Sequence, residues 1–369
     1  MSYNGRLKNP KQEFWKKVDR LLFVALNLMI LLTAAVFVYA RFADARAYDD
    51  YPANGRLVDV GRRNVFFFGM GSQNPGPAIV LIANRGDDSG IWQAVQPALA
   101  EEARVWAYDR AGYLWSDPGP EPMTAGQIAE DLHAGLLALG EKQVILVAHG
   151  AGNLPLFLYL QKFRHQPEVK GVVLLQPLPL VHSQIERLAE TAGFKMPSWR
   201  KALLQLVIKL GFGRVYADIM GWSSPQVIFP QRIHDLVNWD YARQASRMRY
   251  SQTNLLARLQ ERSFSVLEKD FKMASTVAWP RNLPLTILQA GAKHTGDGIQ
   301  ANSDVFDLPE SMRWLKSLAE QSDSGKLIRV SHSSAYIQID QPAVVIQTIE
   351  EMWKAVSRQK AAGGPGRRG

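Results

Sequence analysis

Cysteine is absent from all 369 residues. With it go disulfides, thiolate nucleophiles and cysteine-based metal centres. The Asn-x-Ser/Thr sequon is missing too, so nothing marks a glycosylating secretory route, and a bacterial envelope protein fits equally well. The formal charge is +9, but none of it belongs to the middle of the chain. Residues 1–20 hold six Lys/Arg against two acids, and residues 354–369 hold five cations and no acid, which leaves residues 21–353 formally neutral. A fold that grips nucleic acid needs a basic face, so no nucleic-acid partner is expected. Low-complexity tracts and internal repeats are also missing.

The first thing present is an apolar run. Leu21 to Ala40 reads LLFVALNLMILLTAAVFVYA, without a charge and bounded by Arg20 and Arg41. At about 1.5 Å per residue this length crosses a hydrocarbon core of roughly 30 Å. It has no polar face, as a buried helix of a soluble domain would. A cleaved signal peptide is the alternative, with Ala43, Ala45 and Ala47 as small residues for a cleavage site, although the run is long for one. Lys8, Lys11, Lys16, Lys17 and Arg20 crowd the leading flank, against Arg41 and Arg46 behind. The positive-inside bias therefore places residues 1–20 in the cytoplasm, residues 21–40 across the membrane and the main domain outside, periplasmic or exoplasmic. Residues 41–54 are expected as a short polar stalk.

From there, strand-like runs alternate with helical patterns. The runs are Leu57–Val60, Val65–Phe68, Ala78–Ala83, Val105–Tyr108, Val144–Val147 and Val172–Leu175. Helices are expected over Ala125–Leu139, where Ile128, Leu132, Leu136 and Leu137 form a stripe, and over Leu154–Phe163. Two strands in hairpin spacing followed by strict alternation predict a mostly parallel sheet covered on both faces. After Pro179 the rhythm becomes helical and rich in aromatics (Trp199, Phe212, Trp222, Trp239, Tyr241), predicting a helical cap insertion over 180–280. Alternation resumes with Leu285–Leu288, a helix near 310–321, Leu327–Val330 and a helix over Ala343–Ser357. The domain is thus 55–359, and 360–369 a disordered basic tail.

Three stretches carry a resemblance. Tyr108 to Pro118, YDRAGYLWSDP, is very similar to the Y-D-R-A-G-Y-G-W-S-D-P turn after strand four of esterase and peptidase-like members of the α/β-hydrolase superfamily, with Leu114 in place of a glycine. Val144 to Gly152, VILVAHGAG, resembles their nucleophile elbow L-V-G-H-S-x-G. Ser331 to Pro342, SHSSAYIQIDQP, is similar to the histidine loop G-S-G-H-x-I-Q-x-D-x-P. The resemblance implies an α/β-hydrolase fold of eight strands with the cap after the sixth, over about residues 55–355.

It also implies where chemistry should sit, and there the residues depart. An elbow holds a serine on a tight strand-to-helix turn. Gly150 occupies that position, and His149 and Ala151 beside it supply no substitute nucleophile. Ala335 stands where the histidine base belongs. The acid position after strand six reads Gln176, while Asp297 after strand seven is an acid with nothing to orient. Candidate relocated residues are His149 and His332, with Ser333 or Ser334 as hydroxyl partners. The loop after strand three, where members supply an oxyanion-hole N–H, holds Asn84 and Arg85, and Ala151 would supply the second N–H. Arg85 is either a handle for an anionic ligand or a solvent-facing loop residue. His294 and Asp297 in AKHTGDG do not make a metal signature, and no cofactor or metal is expected.

The reading is a membrane-anchored pseudoenzyme that binds a small apolar ligand or a protein partner. The alternatives are an esterase-like hydrolase acting through relocated residues and a structural subunit of an envelope membrane complex.

Overall fold

The computed structural model describes residues 10–181, 183, 186, 196–222, 235–261, 264–291 and 309–362. A helix α1 (Pro10–Asp50) leads into eight strands: β1 (Arg56–Asp59), β2 (Asn64–Met70), β3 (Ala78–Ile82), β4 (Val105–Asp109), β5 (Gln143–His149), β6 (Glu168–Leu175), β7 (Leu285–Ala290) and β8 (Lys326–Val330). Their order in the single sheet is β1-β2-β4-β3-β5-β6-β7-β8. β2 runs antiparallel to both β1 and β4, and every other pairing is parallel, so the sheet is mixed with a parallel majority. β3 is buried along its whole length, as a strand covered on both faces must be.

Alternate side chains sort into two layers. Val80, Ile82, Leu146 and Leu174 face a core with α2 (Ala125–Ala138) and α3 (Asn153–Phe163). Ile79, Leu81, Ile145 and Val147 face Val345, Ile349 and Met352 of the last helix, α10 (Pro342–Ala362). Thr124 caps α2 by accepting from the Gln127 amide. Between β6 and β7 the described residues form helices and no strand: α4 (Ser198–Lys209), α5 (Phe212–Ile219), α6 (Trp239–Arg249), α7 (Gln252–Glu261) and α8 (Phe264–Ser275). Helix α9 (Pro309–Glu320) precedes β8.

The beginning of the chain differs from expectation. Residues 41–50, read as stalk, continue α1 without a break. Ala40, Asp44 and Ala47 fall on one helical stripe and are buried. Asp44 pairs with the Arg214 guanidinium of α5 at 3.2 Å, and its other oxygen accepts from the Gln252 amide. The Arg41 guanidinium donates to Gln252, and the Tyr48 hydroxyl donates to the Leu114 carbonyl. A polar, alanine-rich composition suits a linker and a packed helix alike, and partners up to 211 positions away decide between them. Upstream, Asn27 and Thr33 donate to the carbonyls of Phe23 and Met29 four residues earlier, so the two polar side chains in the apolar run are satisfied within the helix. α1 is long and apolar enough to cross a membrane, and no residue of its most apolar window is buried.

Candidate functional site

The site lies at the carboxyl end of the parallel strands, where β3, β5 and the loop after β8 converge. β5 ends at His149 and turns through Gly150, whose φ is +55°, the left-handed backbone of a strand-to-helix elbow. The elbow packs hard against β3: a Cβ on Gly152 would meet the Ala83 carbonyl at 2.7 Å. A Cβ on Gly150 would collide with the side-chain amide of Asn84. The Asn84 Oδ1 sits there because it accepts from the Ala151 amide at 2.9 Å. That amide, one residue past the nucleophile position, is the donor an oxyanion hole requires. Asn84 therefore lies in the space a side chain at position 150 would need and engages the amide expected as an oxyanion donor.

The remaining expected positions serve the scaffold. Gln176 adopts φ +44° and its Oε1 accepts from the Ala290 amide at 2.8 Å, tying the ends of β6 and β7 together. The Ala335 carbonyl accepts from His149 Nε2 at 3.0 Å. His332, at φ +57°, is exposed, whereas Ser333 is buried and donates to the Ser334 carbonyl. The Ser334 hydroxyl accepts from the Tyr336 amide, and the Ser334 amide donates to Asp340. No contact joins His332 to either serine hydroxyl or to the elbow among the described residues. Asp297 and His294 lie outside the described residues. Arg85 is half-buried and its charge faces Glu261 and Asp270 of the helical insertion.

Three side chains meet at the elbow, and only His149 stood out in the sequence. Asp87 Oδ2 lies 3.9 Å from His149 Nδ1. The Tyr336 hydroxyl donates to Asp87 Oδ1 at 3.5 Å, and its ring stands 5.0 Å from the imidazole. A carbonyl can only accept, so Nε2 of His149 carries the proton and Nδ1 turns a lone pair toward Asp87. Among the described residues neither Nδ1 nor Asp87 Oδ2 has a hydrogen-bond partner. Burial pushes the imidazole down to about 4, leaving it neutral at pH 7. Burial, and then the charge of Asp88, push the Asp87 carboxyl up to about 6. The Tyr336 hydroxyl is held well above the usual phenol range, first by the charge of Asp87 and then by burial.

Behind these groups the loop is clamped. Arg110 is buried and donates to the carbonyls of Ala83, Asn84 and Asp87 at 2.8 to 3.0 Å. It also pairs with Glu261 of α7 at 3.0 Å, and Glu261 in turn accepts from the Gly86 amide and the Tyr113 hydroxyl. Asp88 pairs with Arg249 of α6 and Arg258 of α7. Asp109 accepts from the Ser89 amide at 2.7 Å, and burial lifts its carboxyl to about 8. The turn after β4 thus sets the loop after β3 and seats the insertion on it.

The comparisons with known proteins agree with this fold. A sequence model of the α/β-hydrolase fold matches residues 77–342, and the chain belongs to that family. An uncharacterised protein of Schizosaccharomyces pombe is 27% identical over 209 residues, which cover 56% of this chain and 35% of the relative. A putative carbamate hydrolase, RutD, of Cronobacter sakazakii is 37% identical over 79 residues, covering 21% of this chain and 30% of the relative. The chain thus spans about a third of the length of these curated relatives. Among solved structures, an esterase from Thermogutta terrifontis superimposes with a TM-score of 0.52 at 17% identity, covering 82% of this chain and 97% of that one. A laboratory-evolved variant of potato epoxide hydrolase gives 0.58 at 16% identity, covering 81% of this chain and 98% of that one. At such identities the structural likeness is one of fold.

Proposed function

We propose that the protein is a single-pass, membrane-anchored α/β-hydrolase-fold domain that binds a small apolar ligand beneath a helical cap, residues 180–280, and forms no covalent intermediate with it. One observation carries the reading: Asn84 Oδ1 is bound to the Ala151 amide, in the space that a side chain at position 150 would need. The elbow therefore lacks a nucleophile and its oxyanion donor is already engaged. The unpartnered His149 Nδ1 and Asp87 Oδ2 supply the polar groups that would orient an otherwise apolar ligand. The basic flank of residues 1–20 supports a cytoplasmic amino terminus and a domain on the far side.

The test compares the wild-type chain with Gly150→Ser/Ala335→His and with the same pair carrying Asn84→Ala, using a fluorophosphonate probe and short nitrophenyl esters. A silent wild type with labelling at residue 150 only when Asn84 is removed supports the reading. Turnover by the wild type would sink it. A second reading, acid–base chemistry without a nucleophile, is favoured by Asp87, whose carboxyl titrates at about 6 beside a neutral imidazole. Wild-type turnover that rises through pH 6 and disappears in Asp87→Asn would establish it.

A further inference from the structure

The helical insertion touches α1 inside the apolar run. The packed stripe of α1 starts at Thr33 and Val36, before Ala40, Asp44 and Ala47. Val215, Asp218 and Ile219 of α5 border one cleft with Ala35, Val36 and Tyr39 of α1. Gly211, at φ +89°, lies so close that a Cβ there would collide with Ala40. If residues 35–40 were drawn into water to accommodate this contact, about 14 apolar residues would remain. These span roughly 21 Å, short of a hydrocarbon core of roughly 30 Å.

The insertion also presents exposed apolar side chains beside this contact. Ile219 is 77% exposed, and Met220 and Tyr216 of the same region are exposed as well. On α4, Trp199, Leu203 and Leu206 recur at helical spacing and are exposed, with the cations Arg200 and Lys209 exposed on the same helix, and none of its residues is buried. The one acid of α4 and α5, Asp218, is matched by Arg214 at 2.9 Å and by the Tyr39 hydroxyl at 3.1 Å, as a carboxylate near lipid must be. Further out, the cleft between α1 and the insertion turns polar, lined by Arg46, Asp50, Arg214 and Arg247. A cleft that passes from apolar residues to cations along a helix of membrane-spanning length has the order of a membrane interface.

We infer that the α4–α5 face of the insertion is itself immersed in the leaflet on the domain's side, as a second membrane contact beside the spanning helix. This rests on the anchored reading of α1. Its occupant is the acyl and headgroup boundary of a phospholipid bilayer, because the face is continuous with a helix surface of the right length to cross one.

The absence of cysteine allows a direct test on the full chain in phosphatidylcholine–phosphatidylglycerol vesicles. Single substitutions Leu28→Cys, Leu206→Cys, Ile219→Cys and Leu57→Cys would each carry an environment-sensitive fluorophore, and quenching by brominated acyl chains would be read. All four positions are exposed, so none of these changes removes a buried side chain. Quenching and a blue shift at Leu206 and Ile219 comparable to those at Leu28, with Leu57 unaffected, is the expected result. Leu28 quenched while Leu206 and Ile219 match Leu57 would overturn the inference and leave the anchor standing. An unquenched Leu28 would remove the anchor, and the inference with it.

Discussion

The turn after β4 and the elbow after β5 carry equally recognisable motifs, yet one is fully used and the other altered. In the turn, Asp109, Arg110, Tyr113 and Ser116 each hold an identified partner on β2, the β3 loop or the insertion. At the elbow, Gly150 has no nucleophile, and Ala335 serves only through its carbonyl. The contrast separates what this fold needs to stand from what it needs to react. Buried charges in the turn cannot be lost singly without exposing their partners to an apolar interior. A catalytic hydroxyl can be lost without such a penalty, and a neighbouring amide can move into its place.

This difference is open to measurement. The largest effect should come from Arg110→Ala, which takes the cation away from buried Glu261 and one donor from each of three carbonyls: a loss of about 3–5 kcal/mol in denaturant unfolding. A loss below 1 kcal/mol would dissolve the distinction between the two sites. Gly150→Ser alone should cost about 2–3 kcal/mol, because the backbone is left-handed and Asn84 is in the way. Asn84→Ala should recover part of this, and failure to recover any would mean that Asn84 is not the obstacle.

A smaller effect sharpens the elbow's electrostatics. The Asp87 carboxyl titrates higher in the folded chain, at about 6, than its ordinary 3.8, so the native state holds the extra proton between those values. Its contribution is most favourable at low pH and declines as pH rises to about 6. Asp87→Asn removes that decline, so the variant should gain about 1–2 kcal/mol on wild type between pH 4 and pH 7, allowing for the water that still reaches the carboxyl. A difference flat with pH would contradict the assignment. The smallest effect concerns Leu114, at φ +43° yet fully buried. Leu114→Gly relieves backbone strain but empties part of the pocket among Phe66, Trp115 and Tyr241. Packing should win by about 1 kcal/mol, read as a lowered Tm.

Much of the scaffold was legible in the residues. Runs such as Ala78–Ala83 announce parallel strands because burial on both faces demands unbroken apolar sequence. The strand-to-helix turn at Gly150 was legible because its neighbours keep the family pattern around it. What escaped detection was tertiary. Asp87 and Tyr336 are 249 positions apart, and nothing local marks either. Asn84 was placed on the correct loop, but that its amide would lie over Gly150 depends on Arg110 fixing the loop backbone beneath it. The continuation of α1 through residues 41–50 escaped for the same reason, since Asp44 finds Arg214 170 positions away.

That continuation has a mechanical meaning. A flexible tether of ten residues would let a domain tumble and sample every orientation above the surface that holds it. α1 offers no such swivel. A rod hydrogen-bonded to the insertion and to the β4 turn transmits torque, so the tilt and azimuth of the whole domain follow those of the helix. Anything that reorients α1 turns the elbow with it.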